Sequence, residues 1–310
     1  AGQLDMADDF KKLDSIIGAI LSTKPSKILT SSVAEARALG EPFDSQRLKL
    51  FSILMAALNE REFENFPEPN ETDAAYNNFA FFESYFSNYI EGTEFEVEDA
   101  RQIIETRTPM PARNADSHDV LGTYYIVSNR KEMAITPTSP DHLLDILQHR
   151  HRVMMSARPE ANPGMFKTQN NRAGETHFVD FQQVRGTLKK GFEVYSALRH
   201  PFARALFMLF MISEVHPFSD GNGRISRIMM NAELTAAGQS KVIIPTVFRT
   251  DYLSALRQLT RKDNPEKLIN AIQRVRLFSY NLRGDNFEEM RDYMERCNAF
   301  KEEDEYILRF

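Results

Sequence analysis

The chain has 310 residues, 42% hydrophobic and 26% charged, the balance of a globular protein with room for about two domains. A formal charge of -6 without any lysine/arginine run excludes a general nucleic-acid surface, and the longest wholly apolar stretch, Ala205 to Ile212, is far too short to span a bilayer. One cysteine, Cys297, excludes an intramolecular disulfide and zinc-finger spacing, and the acidic start AGQLDMADDF lacks the apolar region of a signal peptide, so a cytoplasmic location is expected.

Residues up to about 66 read as helices, with a break at Gly40-Glu41-Pro42 and the strongest pattern in SQRLKLFSILMAALNE. PEPNETD, from Pro67, reads as a linker in which Asn70 or Thr72 offers a helix cap. DAAYNNFAFFESYFSNYIEG, from Asp73, spaces its aromatic residues to bury one helix face and stops at Gly92. EVEDARQII is a short helix and TPMPARN, from Thr108, a loop; GTYYIVSNRKEMA fits either helix or strand. LLDILQHRHRVMM is an amphipathic helix on which His149 and His151 do not face together, so HRHR reads as a solvated or partly packed face.

Short segments beginning PGMFKT and HFV flank the turn-rich QNNRAGET and predict a hairpin, followed by a helix from about Phe181 to Leu198. Pro201 opens FARALFMLFMISEV, apolar nearly all round and therefore buried; it ends at His216-Pro217, because the residue before a proline is pushed out of the helical region. A polar loop with two glycines leads to a helix from Ile225 to Gly238, and helices run to the end, where KEEDEY is an exposed tail. The fold class is mainly α: a helical core with one β-hairpin and additional N- and C-terminal helices. Its division is 1–98, 99–260 and 261–310, respectively an N-terminal helical region, the core with hairpin and polar loop, and a C-terminal helical extension.

The loop HPFSDGNGR, residues 216 to 224, with Arg227, concentrates the chemistry. The amides opening the helix after it have no intrahelical partners and carry the positive end of the macrodipole, an anion site. Gly221 and Gly223 let the backbone approach phosphate oxygens. Arg224 and Arg227, three apart, can fork onto phosphate, and Asp220 supplies a hard oxygen for Mg²⁺. His216 is the one group there that accepts a proton near neutral pH.

This run resembles the HPFx[D/E]GNGRxxR motif of the Fic family, with Ser219 at the variable position, over a resemblance covering about residues 75 to 260. Members transfer nucleotidyl groups, most often AMP from ATP, to protein hydroxyl side chains. The resemblance implies His216 as the base, Asp220 as the Mg²⁺ ligand, Asn222 with Gly221 and Gly223 as the phosphate cradle, and Arg224 and Arg227 as phosphate-gripping arginines. Phe218 is expected to anchor the loop. Ser87-Asn88-Tyr89-Ile90-Glu91-Gly92 resembles the family's [S/T]xxxE[G/N] inhibitory motif, in which Glu91 would occupy Arg227 and block productive ATP binding, or orient water for AMP removal. The hairpin resembles the Fic flap that pairs with a target backbone, which places Lys167, Thr168, Phe178 and Val179 near the target, with lysine where relatives often have arginine. Tyr252 and Leu256 resemble residues of the adenine pocket, and core packing explains them equally well.

The implied function is a self-inhibited protein adenylyltransferase using ATP and Mg²⁺, acting on a target protein and itself, with no nucleic-acid or membrane partner and room for a homodimer. The alternatives are a non-catalytic nucleotide-binding or interaction protein, or transfer of another nucleotide or phosphate-bearing group.

Overall fold

The computed structural model describes residues 6–20, 31, 34, 36, 37, 40–302 and 306–310. Parts of the expected N-terminal helices, and residues 303–305 of the KEEDEY segment, lie outside the described residues, while Lys301, Glu302 and Tyr306 are exposed. The described elements in order are α1 (Ala7–Ile20), α2 (Ser45–Asn59), α3 (Asp73–Ile90), α4 (Val97–Thr106), α5 (Asn114–Val127), α6 (Arg130–Met133), α7 (Pro140–Met154), β1 (Arg172–Ala173), β2 (Thr176–His177), α8 (Val184–Tyr195), α9 (Pro201–Val215), α10 (Asn222–Ala236), α11 (Arg249–Lys262), α12 (Glu266–Tyr280) and α13 (Phe287–Arg296). The architecture is mainly α, as the periodicity predicts.

Helix starts follow local chemistry. Asp44 accepts from the amides of Gln46 and Arg47, Thr72 from Ala75, and Ser139 from His142, with Pro140 and Pro201 at the first positions of α7 and α9 where no amide is needed. GTYYIVSNRKEMA resolves into the end of α5 and the single turn α6, because the Asn129 side chain caps a new helix start and breaks the run.

The centre is the antiparallel pair α9 and α10, packed along its length, with α2 and α8 against α9 and α3 against α10. Every residue of α9 from Phe202 to Val215 is buried except Arg204 and Ser213, which explains its all-round apolar sequence. α3 places Phe79, Phe82 and Phe86 in the same core. The PEPNETD segment is not a free linker. Phe66 and Glu68 exchange backbone hydrogen bonds with Ser240 and Gly238, and buried Asn70 accepts from the Gly284 amide and donates to the Leu282 carbonyl. Of the two expected caps, Thr72 serves α3, and Asn70 fastens the segment to the C-terminal helices.

The hairpin is shorter than the sequence predicts, and its position differs. Arg172 pairs with His177 and Ala173 with Thr176, so the strands fall inside the stretch read as a turn except for His177, which begins the expected second segment. Lys167 is 5% exposed and Val179 fully buried, hence neither lies on an open edge. Burial of the flanking residues pulls them into the core and leaves the polar centre to form the ribbon.

Candidate functional site

α9 stops at His216, which adopts the left-handed conformation with φ 51° and ψ 61° while its amide still donates to the Ile212 carbonyl at 2.9 Å. A left-handed helix end is usually glycine; a histidine there carries backbone strain of the kind found at functional sites. The ring is half-buried and stacks on Phe178, centroids 3.6 Å apart and planes 4° from parallel. Its Nδ1 lies 3.3 Å from the Ser213 carbonyl, which can only accept, so Nδ1 carries the hydrogen and Nε2 keeps its lone pair. Burial pushes its pKa down to about 4, against the pull of the Ser213 hydrogen bond, with the nearby Lys167 charge pressing the same way as burial. The imidazole is therefore a neutral acceptor at physiological pH.

Phe218 is fully buried and anchors the loop as expected, stacked on His151 at 3.7 Å. Asn222 is also buried; it brackets Phe218, accepting from its amide at 2.8 Å and donating to its carbonyl at 2.9 Å. Its side chain is therefore committed to holding the loop, and only its backbone remains for a phosphate cradle. Gly221, the N-cap of α10 at φ 75°, supplies no side-chain cap, so the first-turn amides have no such partner. A Cβ at Gly223 would come 2.1 Å from Glu91 Oε1, so a side chain there would push the carboxylate away. The Glu91 carboxylate thus lies against the amide nest where an anion would bind.

Glu91 is the C-cap of α3 and receives Arg227 Nη2 at 2.7 Å. Arg227 also donates from Nε to Ser87 Oγ at 3.0 Å and from Nη2 to the Ser87 carbonyl at 2.8 Å. Burial opposes the guanidinium charge, but Glu91 and Tyr252 outweigh it and hold the proton more firmly than usual. The acid at the C-terminus of α3, unfavourable for the helix dipole, is explained by this cation. Arg224 points elsewhere. It is buried, 3.2 Å from Asp119 Oδ2 and 3.8 Å from Asp220 Oδ2, with Arg158 on the far side of Asp119. Arg224 Nε has no hydrogen-bond partner among the described residues.

His216, Glu91, Gly223, Arg227, Phe178 and Tyr252 all line one cavity of about 470 Å³, ligand-sized, with the hairpin along one side and α11 along the other. Leu256 lines it as well, whereas Thr168 is exposed and outside it. Asp220 has a side chain 61% exposed, accepting from the Gly221 amide at 2.6 Å.

Two residues that sequence reasoning passed over belong here. His151 is fully buried: its Nδ1 accepts from the Gly164 amide at 2.9 Å, so Nε2–H donates to the Asp220 carbonyl at 3.1 Å. Burial lowers its pKa to about 4, which keeps that neutral form. Arg150 is equally buried and bonded to Glu132, while His149 remains more than half exposed. The HRHR run is thus partly packed, one of the two expected readings, with Arg150 and His151 in the core. Asp119 carried no motif, and its partners are 39 or more residues away.

Residues 138–234 match the Fic/DOC family. The chain contains a Fic/DOC family domain. It is 28% identical over 233 residues to a protein adenylyltransferase Fic from Nematostella vectensis, covering 72% of this chain and 50% of that one. It is 30% identical over 234 residues to the same-named protein from Drosophila willistoni, covering 72% and 45%. The chain spans about half the length of these curated relatives. Fic-1 (residues 134–508) from C. elegans superposes with a TM-score of 0.54 at 17% identity, covering 94% of this chain and 85% of that one. A Fic-domain signalling protein from Bacteroides thetaiotaomicron gives 0.57 at 16% identity, covering 78% and 97%. These two structures establish the Fic fold.

Proposed function

We propose that the chain is a self-inhibited protein adenylyltransferase that moves AMP from ATP to a Ser, Thr or Tyr hydroxyl. The observation that carries this reading is the convergence, in one cavity, of a neutral imidazole with a free Nε2, a helix N-terminal nest and an arginine already held by a carboxylate. The relatives named protein adenylyltransferase support it.

In the proposed reaction the target oxygen attacks the α-phosphorus. An O–P bond forms, the bond from that phosphorus to the α,β-bridging oxygen breaks, and pyrophosphate leaves. His216 Nε2 takes the hydroxyl proton. The α10 amides and, once released from Glu91, Arg227 neutralise the phosphates, so positioning and charge account for most of the rate. Asp220 fits the Mg²⁺ role: one exposed carboxylate suits an ion that takes few protein ligands and fills its shell with phosphate oxygens and water. When bound, Mg²⁺ would neutralise charge on the phosphates.

Glu91 fits the inhibitory role because it occupies both the anion site and the arginine. Its place in the same cavity as His216 also supports a second use, orienting water for AMP removal. The test is incubation of the wild type, Glu91→Gly and His216→Ala with each of four labelled triphosphates. Label on the Glu91 variant from ATP alone is the expected result. Label from none of them on any variant overturns the transferase reading in favour of a binding protein.

A further inference from the structure

The segment from Lys167 to Phe178 grips four consecutive residues, Val215 to Phe218, where α9 passes into the catalytic loop, each by a different contact. The Lys167 ammonium approaches the Val215 carbonyl at 3.5 Å, and the Lys167 amide donates to the Pro217 carbonyl at 2.9 Å. Asn171 Nδ2 donates to the Phe218 carbonyl at 2.9 Å, and the Phe178 ring lies flat on that of His216. The contacts are joined to one another: Lys167 Nζ donates to Asn171 Oδ1 at 2.7 Å, and the Phe178 amide reaches the Asn171 carbonyl at 3.4 Å. At its base the segment is closed by Asn170, which donates to Asp180 and accepts from the Phe181 amide.

We infer that this segment is a strap that positions His216 for catalysis, with Lys167, Asn171 and Phe178 as its positioning residues. The inference rests on the proposed role of His216 as base. His216 sits in a strained left-handed conformation at the close of α9, immediately before a proline, and carries the last amide that the helix holds. The ring can turn about its side-chain bonds, and the Ser213 carbonyl and the Phe178 face restrain it. Nε2 must meet a hydroxyl within hydrogen-bond reach, so a shift of about 1 Å costs on the order of 10²-fold. A buried lysine is costly unless its ammonium finds oxygen partners, and Lys167 finds two, both tied to this loop. Its burial lowers the pKa to about 8, as expected of a cation kept for what it holds rather than for solvent. The same β-ribbon that lines the cavity is therefore continuous with the element that aims the base.

The test uses the full chain carrying Glu91→Gly, with Lys167→Met, Lys167→Arg, Asn171→Ala or Phe178→Leu added. Measurements are kcat and KM for ATP in auto-adenylylation, thermal melting, and the His216 ring proton signals in NMR, identified by their loss in His216→Ala. The expected result is a 10- to 100-fold fall in kcat for Lys167→Met and Asn171→Ala, KM within about threefold, and partial rescue by Lys167→Arg. The ring signals, shielded by the stacked Phe178, should move downfield in Phe178→Leu and shift in Lys167→Met. Unchanged kcat and ring signals in Asn171→Ala, a partly buried site, would overturn the strap even if Lys167→Met unfolds. A fall in kcat matched by an equal rise in KM, or explained by melting alone, would also overturn it. If His216→Ala still transfers label, the role of the base fails separately, and the ring signals alone then decide whether the strap holds the imidazole.

Discussion

Arg227 donates to Glu91 at 2.7 Å across the joint between α3 and α10, although 136 residues separate them in the chain. The Arg227 side chain is 7% exposed and that of Glu91 34%, so the arginine is sequestered while the acid keeps one side to the cavity. A buried cation is costly to strip of its partner, unless an incoming anion replaces it. On the proposed reading a nucleotide phosphate is such an anion, and it would compete with Glu91 for the same place.

Glu91→Gly should therefore raise auto-adenylylation and ATP affinity at least roughly tenfold, the effect of relieving about 1.4 kcal/mol of competition. Labelled-ATP transfer and calorimetry check both quantities. Equal ATP affinity in the variant and the wild type would mean that Glu91 does not contest the site.

Ser87 holds Arg227 from the other side, through its hydroxyl and its carbonyl. Ser87→Ala removes the hydroxyl contact only. A net hydrogen bond contributes about 1 kcal/mol, so this variant should weaken the brake by about three- to tenfold and remain less active than Glu91→Gly. The same transfer assay ranks the three proteins, and Ser87→Ala above Glu91→Gly would contradict the arrangement.

The helices of the core could be read because local signals and burial agree there: the caps at Asp44 and Thr72, the prolines opening α7 and α9, and the apolar run of α9 all point one way. The loop from His216 to Arg224 could be read because its chemistry is contiguous. What escaped depends on tertiary neighbours. Nothing near His151 in sequence announces Gly164 or the Asp220 carbonyl, which lies 69 residues on. Asn222 has the composition of a phosphate ligand, and only the fold shows that both ends of its amide are spent on Phe218. Lys167 resembled a target-facing residue until its burial appeared, since a flap edge and a strap share the same polar sequence.

Asp119 should matter to stability out of proportion to its lack of any motif. It is 2% exposed and faces Arg158 at 2.6 Å and Arg224 at 3.2 Å. Asp119→Ala leaves a buried Arg224 with only long contacts to Asn88 and Asp220, and should cost about 3–5 kcal/mol. Urea unfolding measures the loss. Because Arg224 is fixed by this pair near the loop, residual folded protein should also bind ATP more weakly. A change below about 1 kcal/mol would mean that water already satisfies these charges.

Acid should destabilise the protein over a defined range. Burial pushes the pKa of His151 and of His216 down to about 4, against an ordinary value of 6.5. Between those values the unfolded chain binds the extra protons, so stability is level above about 6.5, falls on acidification, and levels off again below about 4 as far as these two rings are concerned. For His151, fully buried, the total is on the order of 3 kcal/mol. Urea unfolding at a series of pH values should show that fall, and His151→Gln should reduce its slope across the same window, since one of the rings held neutral by burial is gone. An unaltered slope in the variant would show that His151 is not held neutral, and with it the Nε2–H contact to the Asp220 carbonyl would lose its basis.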